Sequence, residues 1–243
     1  MSNYVSSAAY AASQALAAQG LTVKRSHLSE VIAALLGYRT YAALAVEEAD
    51  TRLDYHLDDA EVIVLNLPMG MARAVELGIE KAGATPSVVA TACVEALKAD
   101  TRAASVYVGM AEFYDSYARQ ALADAIYDAD DVASAMAESN AMFPDEPEMD
   151  VECPQTADLW AAVEEWTIEA DGVMTGEYDP DGDRMFNGDT LNCRGWLTYR
   201  KAGRAGLVFV EGGGTGGADD SWRDQDFEDE WAYQRGVESN QAT

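Results

Sequence analysis

The segment Ser26–Glu48 (SHLSEVIAALLGYRTYAALAVEE) constrains the fold of this chain more than any other stretch. Ser26 is a good helix cap, and Glu30 then falls in the first turn, where negative charge suits the helix dipole. Gly37 can end that helix and Thr40 can cap the next one. The apolar faces are predicted at Val31, Ala34, Leu35, Tyr41, Leu44 and Ala45. The segment therefore predicts a pair of helices joined by a tight turn.

Other segments predict a mainly helical N-terminal half. Residues 3–19 are alanine-rich with helical spacing, and Gly20 can end that helix. Further helices are predicted over Met71–Leu77, Ser87–Ala99, Glu112–Tyr127 and from Asp130 or Asp131 to about residue 140. The short apolar segment Ala60–Leu67 favours a helix, with a strand as the alternative, and Pro68 is expected to break it. Ser105–Val108 is a short strand or a helix start.

The sequence pattern changes after Pro154. Trp166, Ile168 and Ala170 alternate with polar residues, and a second alternating run covers Leu191 to Tyr199. This period of two predicts an antiparallel meander with one buried face, preceded by a helix at Asp158–Glu165. The predicted fold class is α+β, with a helical N-terminal body followed by an antiparallel β-meander domain. The expected regions are a helical module at 1–56, a helical body at 57–142, an acidic Pro-containing linker at 143–157, a sheet domain at 158–211, and a Gly hinge with an acidic aromatic tail at 212–243.

The formal charge of −27 limits the partners that this chain can bind directly. Residues 120–183 contain 19 Asp and Glu and no Lys or Arg. Such charge disfavours direct contact with nucleic acid or an anionic membrane and favours a basic protein partner. The predicted partner-binding acidic surface consists of Asp124, Asp128, Asp130, Asp131, Asp145, Glu146, Glu148 and Asp150.

A short basic region follows the acidic one. The sequence places Arg194, Arg200, Lys201 and Arg204 on one strand face and its turn. The favoured interpretation is that they neutralise the acidic helices, and a site for an anionic ligand or nucleic acid is the alternative.

The carboxylates Glu177, Asp179, Asp181 and Asp183 alternate as in a calcium loop, because Ca²⁺ prefers several oxygen ligands. The EF-hand pattern nevertheless fails, since Arg184 and Thr190 stand where Gly and Glu are needed. A solvated hairpin turn is favoured, with a weak Ca²⁺ site as the alternative. No cofactor is predicted.

The residues for nucleophilic or metal catalysis are few. Cys93, Cys153 and Cys193 lack CxxC spacing and are predicted to be reduced, as in a cytoplasmic protein. His27 and His56 are the only histidines, and neither has a spacing that pairs it with Cys193. No catalytic residue is predicted. No secretory signal or membrane-spanning run is seen in the sequence.

The pattern SHxxExxA at Ser26–Ala33, followed by LGYxTYxAL at Leu36–Leu44, resembles a small helical module of uncharacterised proteins from plasmids, integrative elements and phages. The resemblance covers about a tenth of the chain and implies a mobile-element origin. Some of those proteins are labelled glyoxalase-related, but two histidines and no βαβββ repeat do not fit that chemistry. A DNA-reading role for Thr40–Asp50 is disfavoured because this helix offers hardly any hydrogen-bond donors.

Charge and resemblance together predict a non-enzymatic, acidic protein-binding factor. A concrete form is a DNA mimic that inhibits a host nucleic-acid-binding or defence protein. The alternatives are a hydrolase-like enzyme with a site between the helical body and the sheet, and a scaffold that docks through the N-terminal module. The oligomeric state is not predicted.

Overall fold

The computed structural model describes residues 3–100, 104–139, 141–178 and 189–219, and it has the α+β class that the sequence predicts. The helices are α1 (Asn3–Ala18), α2 (Arg25–Leu35), α3 (Tyr41–Glu48), α4 (Leu67–Glu76), α5 (Pro86–Asp100), α6 (Gly109–Phe113), α7 (Arg119–Tyr127) and α8 (Asp130–Ser139). The strands are β1 (Val62–Leu65), β2 (Ser105–Val108), β3 (Ala141–Met142), β4 (Glu148–Met149), β5 (Glu165–Thr175), β6 (Glu177–Tyr178), β7 (Thr190–Ala202) and β8 (Gly206–Ala218).

Six of these strands form a mixed sheet in the order β2-β1-β8-β7-β5-β4. β1 runs parallel to β2, with Val62 opposite Ser105, and antiparallel to the start of β8, with Val62 opposite Leu207. The parallel pair lies outside 158–211, the range for which the sequence predicts an antiparallel meander. A second ladder joins β3 and β6.

The helix favoured for Ala60–Leu67 is wrong, because Val62–Leu65 forms strand β1 and all four residues are buried. A strand that is buried on both faces has a continuous apolar sequence without a period of two. The sequence pattern of Val62–Leu65 therefore could not distinguish a strand from a helix. Pro68 does not end an element. It lies in the first turn of α4, where its missing N–H removes no helical hydrogen bond.

The chain divides into two compact units, each built from several segments. Unit 1 comprises 1–120, 151–168 and 197–212, and unit 2 comprises 121–150, 169–196 and 213–243. Strands β5, β7 and β8 each contribute residues to both units.

The predicted helix pair is present in unit 1. The buried residues of α2 and of its C-terminal end are Leu28 and residues 31–36. Helix α2 packs on α1, α4 and α5. Gly37 ends α2 with φ +86°, and a Cβ there would lie 3.0 Å from Trp160 Cδ1. Both the left-handed backbone and the close neighbour require glycine at this position.

The two predicted caps of this pair have different outcomes. The Thr40 side chain accepts a hydrogen bond from Ala43 N (3.1 Å), as expected, whereas α2 begins at Arg25 and Ser26 is not its cap.

We expect Thr40→Ala to lower the free energy of unfolding by about 1 kcal/mol, and Ser26→Ala to change it by less than about 0.5 kcal/mol. Urea unfolding of the two variants checks this, and equal losses would contradict it.

The predicted helix over Glu112–Tyr127 contains a π-helical turn at Tyr114–Ala118, between α6 and α7. Its apolar residues Phe113, Tyr117, Leu122 and Ile126 include one step of five residues, which a π turn accommodates. Phe113 lies 5.7 Å from Tyr117 and 6.4 Å from Tyr199 between ring centroids, so the turn carries part of the unit 1 aromatic core.

Three further expectations about the C-terminal half are wrong. The predicted helix Asp158–Glu165 is absent: residues 158–164 form turns and bends, and Glu165 begins β5. Trp160 Nε1 in this segment donates to Val64 O (2.9 Å). Gly212–Gly217 is not a hinge but part of β8. The predicted linker contains β4, which pairs with β5. The predicted tail at 220–243 lies outside the described residues.

Candidate binding surface

All eight carboxylates of the predicted acidic surface are exposed, and all belong to the 121–150 segment of unit 2. Asp124 lies in α7, and Asp130 and Asp131 form the first turn of α8, where carboxylates stabilise the helix dipole. The segment 143–150 is held by three buried residues, Phe143, Pro147 and Met149. These apolar anchors leave Asp145, Glu146, Glu148 and Asp150 facing the solvent.

Unit 2 carries most of the net negative charge of the described residues. Its described residues contain 14 Asp and Glu and a single Arg, a net charge of −13. The described residues of unit 1 are far more numerous and contain 19 Asp and Glu against 11 Lys and Arg, a net charge of −8. The unit 2 acids are Asp124, Asp128, Asp130, Asp131, Glu138, Asp145, Glu146, Glu148, Asp150, Glu169, Asp171, Glu177, Asp189 and Asp219.

The four residues of the predicted basic patch are divided between the two units. Arg194 belongs to unit 2, whereas Arg200, Lys201 and Arg204 belong to unit 1. Arg194 Nη2 lies 2.6 Å from Glu169 Oε2, and Arg200 Nη1 lies 3.9 Å from Glu165 Oε2. These pairs agree with the neutralisation interpretation, although the partner acids lie on β5 rather than on helices.

Arg204 contacts the α2–α3 turn of unit 1. Its guanidinium lies over the Tyr38 ring at 5.4 Å, and its Nε is 4.0 Å from Glu47 Oε2. The Tyr38 hydroxyl donates to Glu47 Oε1 (2.7 Å) and accepts from Arg204 N (3.1 Å). Burial and the Glu47 carboxylate both raise the pKa of Tyr38 well above its ordinary range. This cluster fixes the β7–β8 hairpin against α3.

Lys201 is buried, which corrects its placement in the predicted patch. It is only 7% exposed, and its Nζ donates to Arg204 O (2.8 Å). Burial lowers its pKa to about 7, while the nearby carboxylates of Glu47 and Asp158 partly oppose that shift. The sequence held the signal for this position, since Lys201 has the same parity along β7 as the buried Leu197 and Tyr199.

The outward side of the sheet in unit 2 forms an open groove of about 490 Å³. β5 contributes Asp171, β7 contributes Asn192 and Arg194, and β8 contributes Thr215; these four side chains are exposed. Asp150 also lines the groove, and its N–H donates to Asp171 O (3.1 Å). No local sequence pattern indicates this groove, because its residues come from separate strands.

The calcium-loop prediction has no test in this structure. Glu177 is exposed in β6, whereas Asp179, Asp181 and Asp183 lie outside the described residues. Within the described ranges, no group of three or more His, Cys, Asp and Glu side chains is arranged to hold a metal ion.

Cys93, Cys153 and Cys193 are free thiols. Burial raises the pKa of Cys193. Cys193 belongs to unit 2, whereas His27 and His56 both belong to unit 1. In the part of the chain that the structure describes, no helix is both long and apolar enough to cross a membrane.

Comparisons with protein-family models, curated proteins and solved structures found no match to this chain.

Proposed function

We propose that this chain is an acidic protein-binding factor that occupies the nucleic-acid site of a basic protein. The observation that carries the proposal is the concentration of exposed carboxylates in unit 2, with net charge −13 over its described residues. The one Arg of that set is already paired with Glu169. The described residues of unit 2 therefore carry a large excess of negative charge.

Physical chemistry gives this surface a defined behaviour. Exposed carboxylates attract Lys and Arg side chains over about 10 Å at moderate salt, which speeds encounter with a basic groove. The acids at 128–131 and 145–150 are held by a helix start and by buried anchors, so they lose little freedom on binding. The resemblance of Ser26–Leu44 to a mobile-element module supports a target among host nucleic-acid-handling or defence proteins.

The proposal is tested by reversing four exposed carboxylates: Asp128→Lys, Asp131→Lys, Asp145→Lys and Glu148→Lys. The tagged wild-type chain is used to capture proteins from a bacterial lysate at low salt, and duplex DNA is then applied as the eluent. We expect basic nucleic-acid-binding proteins to be captured and to be displaced by DNA or by high salt. The fourfold variant should lose at least about tenfold in affinity for the same purified protein, because each reversal costs about 0.5–1 kcal/mol.

A matched variant controls for net charge and stability. Asp54, Glu80, Glu152 and Glu164 are exposed acids of unit 1, and their reversal to Lys changes the net charge by the same amount. This control should retain most of the affinity, and thermal unfolding of both variants shows that each is folded. Equal losses from both sets, or captured proteins that DNA does not displace, would refute the proposal.

Docking through the N-terminal module is a second candidate, and the surface of α3 favours it. Ala42, Ala43 and Val46 are exposed there and line an open pocket of about 540 Å³ beside Glu47 and Arg204. Val46 is 74% exposed. A partner that is retained at high salt and by the fourfold variant, but lost by Val46→Asp, would support this candidate instead.

A further inference from the structure

We infer that the outward groove of unit 2 receives an extended, Arg- or Lys-rich segment of the partner. This inference rests on the proposed function and adds the place and the chemistry of contact. The groove combines an open sheet face, a volume of about 490 Å³ and a surrounding unit whose described residues contain 14 acids against one Arg. Charge complementarity therefore selects a cationic occupant.

The lining suits the side chains of such a segment. Asp150 and Asp171 supply carboxylate oxygens, which accept charge-assisted hydrogen bonds from guanidinium or ammonium groups. Asn192 and Thr215 add neutral hydrogen-bonding groups. Gly217 lines the groove without a side chain, and even a Cβ added there would meet no atom within 4 Å. The backbone of an incoming chain can therefore approach β8 closely.

Arg194 occupies the position that a cation of the partner would take. Its guanidinium contacts Glu169 at 2.6 Å and Asp171 at 4.0 Å. An incoming Arg or Lys must share or displace these contacts. Arg194 therefore competes with the partner's cations for the carboxylates of Glu169 and Asp171. Removing its charge should strengthen binding, an effect that loss of folding cannot imitate.

The test measures binding of a fluorescein-labelled octa-arginine peptide to the full chain by fluorescence anisotropy at low salt. We expect Arg194→Gln to bind about two- to fivefold more tightly, and Asp171→Asn about two- to fivefold more weakly, as exposed charge pairs predict. Arg52→Gln is the control. Arg52 is an exposed cation of unit 1 paired with Asp50 at 2.6 Å, and its loss changes the net charge equally.

The outcomes separate this inference from the proposed function. Binding of the peptide in the groove is supported if Arg194→Gln binds it more tightly and Arg52→Gln does not. The peptide should then also change the NMR amide chemical shifts of Gly172, Asn192 and Thr215. Equal tightening by Arg52→Gln, or shifts confined to the acids at 128–131 and 145–148, overturns the groove and leaves the acidic surface standing. Absence of salt-sensitive peptide binding overturns both.

Discussion

Gly214→Ala is expected to lower the free energy of unfolding by about 2–3 kcal/mol, the range of overpacking in a well-packed interior. A Cβ at Gly214 would lie 2.6 Å from Ile126 Cα. Because that neighbour is backbone of α7, no change of rotamer can relieve the contact. The helix must shift away from β8, and part of the unit 2 core then loses its packing. Chemical denaturation with the variant and wild type side by side measures the loss.

Gly217→Ala is the matched control for this experiment. Gly217 lies on the same strand, is exposed, and has no atom within 4 Å of an added Cβ. Alanine there should be neutral or stabilise the strand by a few tenths of a kcal/mol, because glycine has more conformational freedom to lose on folding. If both variants behave alike, the glycines of β8 act through backbone freedom and not through close packing.

Lys201→Met is expected to raise stability at pH 7 and to remove a pH dependence. The folded-state pKa of Lys201 is about 7, below its ordinary value of 10.5, because the ammonium is buried. Between these values the unfolded state binds more protons, so this residue makes the protein more stable as the pH rises. We expect its contribution to rise by about 2 kcal/mol from pH 7 to pH 9.

The measurement compares the unfolding free energy of variant and wild type across that range. The difference isolates Lys201 from the cysteines, whose raised pKa values act in the opposite direction as their thiols ionise in the unfolded chain. Work stays below pH 10, where the raised pKa values of Tyr4, Tyr38 and Tyr199 begin to lower stability. Lys24→Met, which removes an exposed lysine of unit 1, is the control for the loss of one positive charge. If the free energy of unfolding of Lys201→Met changed with pH in parallel with that of the wild type, the lowered pKa of Lys201 would be contradicted.

Local signals predicted those parts of the fold that depend on neighbours in sequence. The Thr40 cap, the Gly37 stop and the buried alternation of Trp166, Ile168 and Ala170 are all confirmed. Each depends on hydrogen bonds, backbone angles or periodicity within a few residues. The exposure of the eight acids follows similarly from the high cost of burying an unpaired carboxylate.

Contacts between distant segments explain the errors. Strand β1 could not be recognised because it is defined by pairing with Ser105–Val108 and with the start of β8. The glycine-rich sequence of β8 is typical of a flexible hinge. In the structure, Gly213 and Gly214 instead allow the Trp196 ring and Ile126 to pack closely against the strand. Lys201 was assigned to the surface by residue type, although its strand parity indicated the interior.

The position of β1 between two strands has a consequence for synthesis of the chain on the ribosome. β1 pairs on one side with β2 and on the other with β8, the last of the described strands. The apolar run Val62–Leu65 therefore leaves the ribosome long before its second partner exists, and its free edge can pair with other chains meanwhile. Completion of the sheet must wait until β8 has been synthesised, which makes folding of this sheet slow.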